Sequence, residues 1–293
     1  MISYRGRFAP SPSGPLHFGS LVAALGSWLD AKYHQGEWLL RIEDIDPPRE
    51  MVGAAEDILK TLEAYGLHWD KEVSYQSHHL KKYQDVVDQL LNKALVYPCN
   101  CSRKQIKASG GIYQNSCRDK NISTQSDFSL RLKVDSPIIG FEDCYQGFCE
   151  TNENSAAEDF ILKRKDGLYA YMLAVVVDDE QQKITHVIRG ADLLETTVQQ
   201  MTLFKTLNRK TPIYGHLPLA INQQGTKLSK QNHAKAISLN RVTENLWQAL
   251  AFLQQSPPNE LRYDSKENLL QWAIKNWQSL NFAGKRKILS KDI

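Results

Sequence analysis

The chain has no apolar run approaching the roughly 20 residues that a membrane-spanning helix requires, and its start, MISYRGRFAP, is interrupted by arginines where a secretory leader would be apolar. A cytoplasmic protein without a membrane partner is therefore expected. Internal repeats and low-complexity tracts are missing too, which sets aside solenoids and solvated tails. Strong net charge is also lacking. With 36 Lys and Arg against 33 Asp and Glu, the balance of +3 is too mild to establish a polyanionic partner. Cysteine is sparse and odd in number, at five, so a disulfide framework fits poorly. What remains is an ordinary globular composition, 42% hydrophobic over 293 residues, enough for one large or two medium domains.

The periodicity divides the chain further. Leu21, Val22, Leu25, Trp28 and Leu29 follow helical spacing after Ser20, a plausible cap, so LHFGS (16–20) sits where the chain enters a helix. In GEWLLRIEDIDPPRE a short apolar run, Trp38 to Ile42, stops at acids and prolines, as a buried strand ends in a loop, and Glu43 and Asp44 lie at its carboxyl end. Helices are expected over 54–65, 80–95 and 197–207. The runs YMLAVVVDD and KITHVIRGAD read as strands. The tail carries amphipathic helices on either side of Pro257 and Pro258. Residues 98–158 change character, with paired glycines and scattered cysteines, and read as an insertion. The expected architecture is a doubly wound α/β core with a helical appendix. Its halves are 1–97 and 159–220, the insertion is 98–158, and 221–293 holds a basic loop and the final helices.

Two segments carry phosphate-binding chemistry. In RFAPSPSGPLHFGS, Gly14 and Gly19 let backbone approach a ligand before a helix starts, and His17 can donate to a phosphate that the helix amino terminus also favours. In GTKLSKQNHA, Lys227 and Lys230 bracket Leu228 and Ser229 in a glycine-led loop able to fold over an anion. A third segment places Cys99, Cys101 and Cys117 close together, with Tyr113 between the second and third. Three soft ligands suit a tetrahedral zinc, the fourth position being open to Tyr113, Cys144, Cys149, His78 or His79.

Taken together, LHFGS and KLSKQ (227–231) resemble the HIGH and KMSKS signatures of class I aminoacyl-tRNA synthetases, with Ser20 in place of the last histidine. RFAPSPSGPLHFGS, RIEDIDPPR, YMLAVVVDD and HVIRGADLLETT resemble the glutamyl branch and cover most of residues 5–207. This resemblance implies a class I synthetase Rossmann-type catalytic domain with a zinc-containing insertion and a short helical C-terminal region. It also implies a ligase that uses ATP with Mg²⁺ to activate L-glutamate. His17, Lys227 and Lys230 would then be catalytic, and Gly19, Ser20 and Ser229 would join them around ATP. Glutamate would be held by Arg7, Phe8, Ala9, Pro10, Ser11, Glu43, Tyr171 and Arg189, the arginines on its carboxylates and Glu43 on its amino group.

Only 232–293 follow Gln231, shorter than the anticodon-binding region of ordinary glutamyl-tRNA synthetases. That brevity, KLSKQ and the cysteine and tyrosine cluster resemble the glutamyl-Q tRNA(Asp) synthetases. The implied acceptor is queuosine at the wobble position of tRNA(Asp), and the implied ligands of one structural zinc per chain are Cys99, Cys101, Tyr113 and Cys117. A monomer is expected. The competing readings are a truncated enzyme that charges the 3′ end of tRNA(Glu) and a noncatalytic RNA-binding relative.

Overall fold

The computed structural model describes residues 4–120, 122, 127–227 and 235–290. Strand and helix alternate at first: β1 (Arg5–Phe8), α1 (Phe18–Tyr33), β2 (Glu37–Ile42), α2 (Ala54–Ala64), β3 (Ser74–Tyr75) and α3 (Leu80–Asn92). β1, β2 and β3 lie side by side in parallel, with Gly6 opposite Trp38 and Arg41 opposite Ser74. Every residue of β2 after the first is buried, because the strand is covered on both faces, and so its sequence is a continuous run instead of an alternation. α1 is also enclosed. It approaches the sheet so closely at Gly26 that a Cβ there would lie 2.7 Å from Leu217 Cδ1.

The next segment is built differently, from β4 (Val96–Cys99), α4 (Arg103–Ala108), β5 (Ser129–Leu132), β6 (Gly140–Asp143), β7 (Gly147–Glu150), α5 (Glu153–Ala156) and β8 (Ile161–Lys163). β4, β5 and β8 form an antiparallel sheet, and β6 and β7 a hairpin. The sheet thus opens at Val96 and closes at Lys163, just outside 98–158.

The parallel layer then resumes with α6 (Tyr171–Gln181), β9 (His186–Gly190), α7 (Thr197–Thr206), β10 (Ile213–Leu217) and β11 (Leu219–Ile221), followed by α8 (Val242–Phe252), α9 (Lys266–Asn276) and β12 (Lys287–Leu289). β9 pairs with β10 in parallel, and next to it the Thr185 N–H donates to the Arg5 carbonyl at 2.9 Å. The spatial order is therefore β3, β2, β1, β9, β10, and its direction reverses at β1. Open parallel sheets take their ligands beyond the carboxyl ends of the strands at such a reversal. The C-terminal helices close over α1, where Phe18 meets Phe252 edge to face and the Trp277 indole donates to Asp30 at 3.0 Å.

Two local expectations are corrected. YMLAVVVDD is the helix α6, not a strand. Its β-branched residues favour a strand only weakly, and seven consecutive buried residues from Leu173 to Asp179 mark a helix enclosed on all sides, whose uniform burial erases the polar face that reveals helical periodicity. The cap of α1 is His17, not Ser20. The helix starts at Phe18, and the extended His17 accepts the Ser20 N–H through Nδ1 at 3.3 Å. No helix among the described residues is long and apolar enough to cross a membrane.

Candidate active site

Folding brings the His17 turn against the chain that flanks the basic loop. His17 forms an antiparallel bridge with Ala236, and the Ile237 N–H donates to the Leu16 carbonyl at 3.0 Å. At the other flank of the basic loop, Lys227 pairs with Asp192 at 2.5 Å. Ser229, Lys230 and Gln231 lie outside the described residues. Because Nδ1 of His17 accepts the Ser20 N–H, the neutral ring carries its proton on Nε2. The residue thus serves two purposes, as helix cap through one nitrogen and as a donor through the other. Gly19 and Ser20 form the first turn of α1, whose N–H groups and dipole favour an anion.

Beyond the carboxyl ends of β1, β2 and β9 lies a dense buried network. Arg7 reaches Asp179 through Nε at 3.2 Å and Nη2 at 3.5 Å. Arg41, fully buried, sits 2.8 Å from Asp179, 3.6 Å from Glu43 and 3.8 Å from Asp178. Burial disfavours its charge, but these three acids outweigh burial and keep it a cation. Asp178 also accepts from Gln76 at 2.8 Å and Tyr83 at 2.7 Å, and it contacts His79 at 2.8 Å. Burial pushes the Glu43 carboxyl up to about 7; Arg41 and Arg7 pull it down, and Asp179 and Asp178 push it further up. Pro10 accepts the Glu43 N–H at 3.0 Å, which fixes the loop after β1 to the end of β2. Along that loop Ala9, Pro10 and Ser11 stay at least partly accessible, whereas the Phe8 ring stacks over Trp38 in the core and leaves only its backbone to the site.

Arg189, at the end of β9, is arranged differently from its neighbours. Nε donates to His216 at 3.1 Å, Nη1 to Gln200 at 2.8 Å and Tyr171 at 3.3 Å, and Nη2 to Thr197 at 2.8 Å and the Leu193 carbonyl at 3.3 Å. Every acceptor is neutral. Among the described residues no carboxylate pairs with this buried guanidinium. The Tyr171 hydroxyl, raised above its ordinary range by desolvation, lies within electrostatic reach of Arg189, Glu43 and Arg7. Of these residues the sequence pointed to Arg7, Glu43, Tyr171 and Arg189, and it did not single out Arg41, Asp178, Asp179, Thr197, Gln200 or His216. One signal was available: Arg41 is a charge inside the apolar strand EWLLRI, and a charge in a two-sided buried strand requires partners.

The cysteines also converge. Cys99, Cys101 and Cys117 place their sulfurs within 4.8 Å of one another, and Cys101 Sγ lies 3.5 Å from Cys117 Sγ. Bonds of about 2.3 Å to a tetrahedral centre put sulfurs roughly 3.8 Å apart, so the cluster is of a size to close on one ion. The Tyr113 hydroxyl accepts the Cys117 N–H at 2.8 Å and faces the Tyr97 hydroxyl at 3.4 Å. Burial raises the Cys117 thiol, but hydrogen bonds from Tyr113 and Cys101 override it and bring the group to about 7. Cys144, Cys149, His78 and His79 are not in this cluster; His79 is committed to Asp178. Between Cys101 and Tyr113 the short α4 begins with a Ser102–Gln105 capping box, which fixes the turn that returns the chain to the sulfurs.

The family described as tRNA synthetases class I (E and Q), catalytic domain, matches residues 3–256. A glutamyl-Q tRNA(Asp) synthetase from Photobacterium profundum is 53% identical over 274 residues, covering 94% of this chain and 88% of the relative. Another of that name from Vibrio cholerae is 51% identical, covering 94% and 91%. Among solved structures, a glutamate tRNA ligase from Elizabethkingia meningosepticum, crystallised in complex with its amino acid, superimposes with a TM-score of 0.81 at 26% identity, over 99% of this chain and 67% of that one.

Proposed function

The chain belongs to the class I tRNA synthetases of the glutamate and glutamine branch, within the glutamyl-Q tRNA(Asp) synthetases, and on that basis we propose a two-step reaction and a role for each site residue. L-Glutamate is activated by ATP, and the glutamyl group passes to queuosine in tRNA(Asp). In the first step the glutamate α-carboxylate attacks the α-phosphorus of ATP, the bond to pyrophosphate breaks, and glutamyl-adenylate remains. In the second, a queuosine hydroxyl attacks the activated carbonyl and AMP departs.

The observation that carries the glutamate assignment is a pair of unbalanced groups, one buried and one largely so. Among the described residues Arg189 is a guanidinium without a carboxylate, and Glu43 is a carboxyl raised to about 7 beside two guanidiniums. A zwitterion bearing a second carboxylate completes both. Its ammonium stabilises ionised Glu43, and a carboxylate replaces the long 3.3 Å contacts of Arg189 to Tyr171 and Leu193. Arg7, whose Nε and Nη2 hold Asp179, takes the other carboxylate, while Phe8, Ala9, Pro10 and Ser11 wall the pocket.

Little covalent work falls to the protein, so positioning and electrostatic stabilisation supply the rate. His17 donates from Nε2 to the polyphosphate, with Gly19 and Ser20 at the helix terminus. Lys227, Ser229 and Lys230 close from the opposite side, which requires Lys227 to leave Asp192. Mg²⁺ accompanies ATP on its phosphates. Cys99, Cys101, Tyr113 and Cys117 would hold one zinc; the Cys117 N–H already orients the Tyr113 oxygen, the metal's charge would offset the burial that raises its hydroxyl, and four protein ligands would make the metal structural. Residues 98–158 serve as the RNA-facing insertion of a monomeric cytoplasmic enzyme, between catalytic halves 1–97 and 159–220, and 221–293 supplies the loop and helical region.

The test is glutamate-dependent exchange of labelled pyrophosphate into ATP, with and without tRNA, followed by cleavage of glutamate-charged RNA to locate the label. Exchange without tRNA and label in the anticodon fragment are expected. Absence of exchange rejects catalysis, and label confined to the 3′ end rejects the acceptor.

A further inference from the structure

We propose that Asp143 and His216 are positioning residues for Arg189, the pair holding one imidazole tautomer so that Arg189 presents its fork to the substrate carboxylate. This rests on the assignment of Arg189 to glutamate. His216 is wholly buried on β10, and its Nδ1 lies 2.5 Å from Asp143 Oδ2 at the end of β6. The other oxygen, Oδ1, accepts three backbone N–H groups: Tyr145 at 2.9 Å, Gln146 at 2.9 Å and His216 at 3.1 Å. An oxygen so committed cannot exchange with its neighbour. Asp143 is a fixed acceptor, Nδ1 carries the imidazole proton, and Nε2 is left as a lone pair facing Arg189 Nε at 3.1 Å.

The surroundings give Nε2 no other assignment. The Thr197 hydroxyl, 3.3 Å away, donates to the Leu193 carbonyl at 3.0 Å, so its lone pairs face Arg189 Nη2 instead. The charged groups facing the ring are Asp143, Arg189 and Asp192, and burial together with Arg189 lowers the imidazole below its ordinary value against the pull of both acids. A guanidinium is donor-only, so it needs acceptors that stay neutral to remain available to a carboxylate. An aspartate in direct contact would satisfy Arg189 and compete with the substrate. An imidazole placed between them fixes the orientation of Arg189 without cancelling its charge. The hairpin of β6 and β7, outside the parallel layer, thereby reaches the amino-acid pocket through one ring.

Asp143→Asn separates this role from packing. With Oδ1 held by three N–H groups, the amide nitrogen takes the place of Oδ2 and presents a donor to Nδ1. The ring then adopts the Nε2–H tautomer and confronts Arg189 donor to donor, as in hydrolytic triads that lose their aspartate. In pyrophosphate exchange, glutamate KM is expected to rise about tenfold or more in Asp143→Asn and His216→Ala, with ATP KM nearly unchanged. His216→Gln, whose amide oxygen is a neutral acceptor, recovers most of that loss. Imidazole ¹⁵N shifts, assigned by the signal lost in His216→Gln, report Nδ1–H in the wild type and Nε2–H in Asp143→Asn. A wild-type ring that is charged or Nε2–H near neutral pH overturns the proposal. So do an unchanged glutamate KM in Asp143→Asn or His216→Ala, and a His216→Gln enzyme as impaired as His216→Ala. Wild-type protein without glutamate-dependent exchange, but with the Nδ1–H ring, rejects the glutamate reading and leaves the tautomer established.

Discussion

Arg41→Met removes the cation at the centre of the buried network while retaining a side chain of similar length. Asp179, Glu43 and Asp178 surround the guanidinium at 2.8, 3.6 and 3.8 Å, and neither Arg41 nor Asp178 has any exposed side-chain surface. Removing one partner of a buried ion pair costs about 3–5 kcal/mol, because the remaining charges are left uncompensated. Asp179 would keep Arg7 and Asp178 its contacts with Gln76, Tyr83 and His79, but all three acids would lose the cation they share, so a loss within that range is expected, a large fraction of the stability of a typical domain. Guanidinium unfolding followed by fluorescence measures it, at about pH 6 and again at about pH 8. Glu43, already raised to about 7, loses the guanidinium that pulls it down and moves further above its unfolded value, so the folded variant binds more protons and loses stability as pH rises. The deficit should therefore be smaller at the lower pH. A deficit under about 1 kcal/mol, or one that grows on acidification, would refute the reasoning that these charges depend on one another.

The raised Glu43 carboxyl gives glutamate activation a pH profile. Its kcat/KM should climb as pH rises through about 7 and then level, because the ammonium is bound only by the ionised carboxylate; in Glu43→Gln this limb should vanish along with most of the activity. His17→Asn retains an N-cap acceptor and loses the Nε2 donor. Melting temperature should hold while the exchange rate falls by about 3 kcal/mol of barrier, roughly a hundredfold; near-normal exchange would remove His17 from the transition state. Elemental analysis of protein purified without chelator should find one zinc per chain, and chelation should open residues 98–158 to protease while the parallel layer stays resistant. Protein with no zinc before chelation would contradict the metal assignment.

Motifs that act through local geometry were legible in the sequence. The turn that leads into α1, the buried strand β2 with Glu43 beyond its end, the pair of C-terminal helices and the cysteine cluster all depend on residues close together in the chain. α6 was not legible as a helix, because the contacts that enclose Leu173 to Asp179 come from distant elements and leave no polar stripe. For the same reason Asp178 and Asp179 could be quoted as part of a motif without their purpose being visible. Their partners Arg7 and Arg41 lie on other strands, more than a hundred residues earlier.

The sequence by itself determined the residue types present, the local turns and caps that hold them, and the resemblance that pointed to glutamate and ATP. Only the tertiary structure decided which charges are matched. It paired Arg7 and Arg41 with acids, left Arg189 with neutral acceptors, and set His216 between that guanidinium and Asp143. The physical reason is that a buried charge derives its energy from whatever lies within a few ångströms. For this network those neighbours come from β1, β2, β6, β9, β10, α3, α6 and α7, elements whose adjacency is not encoded in any single stretch of chain.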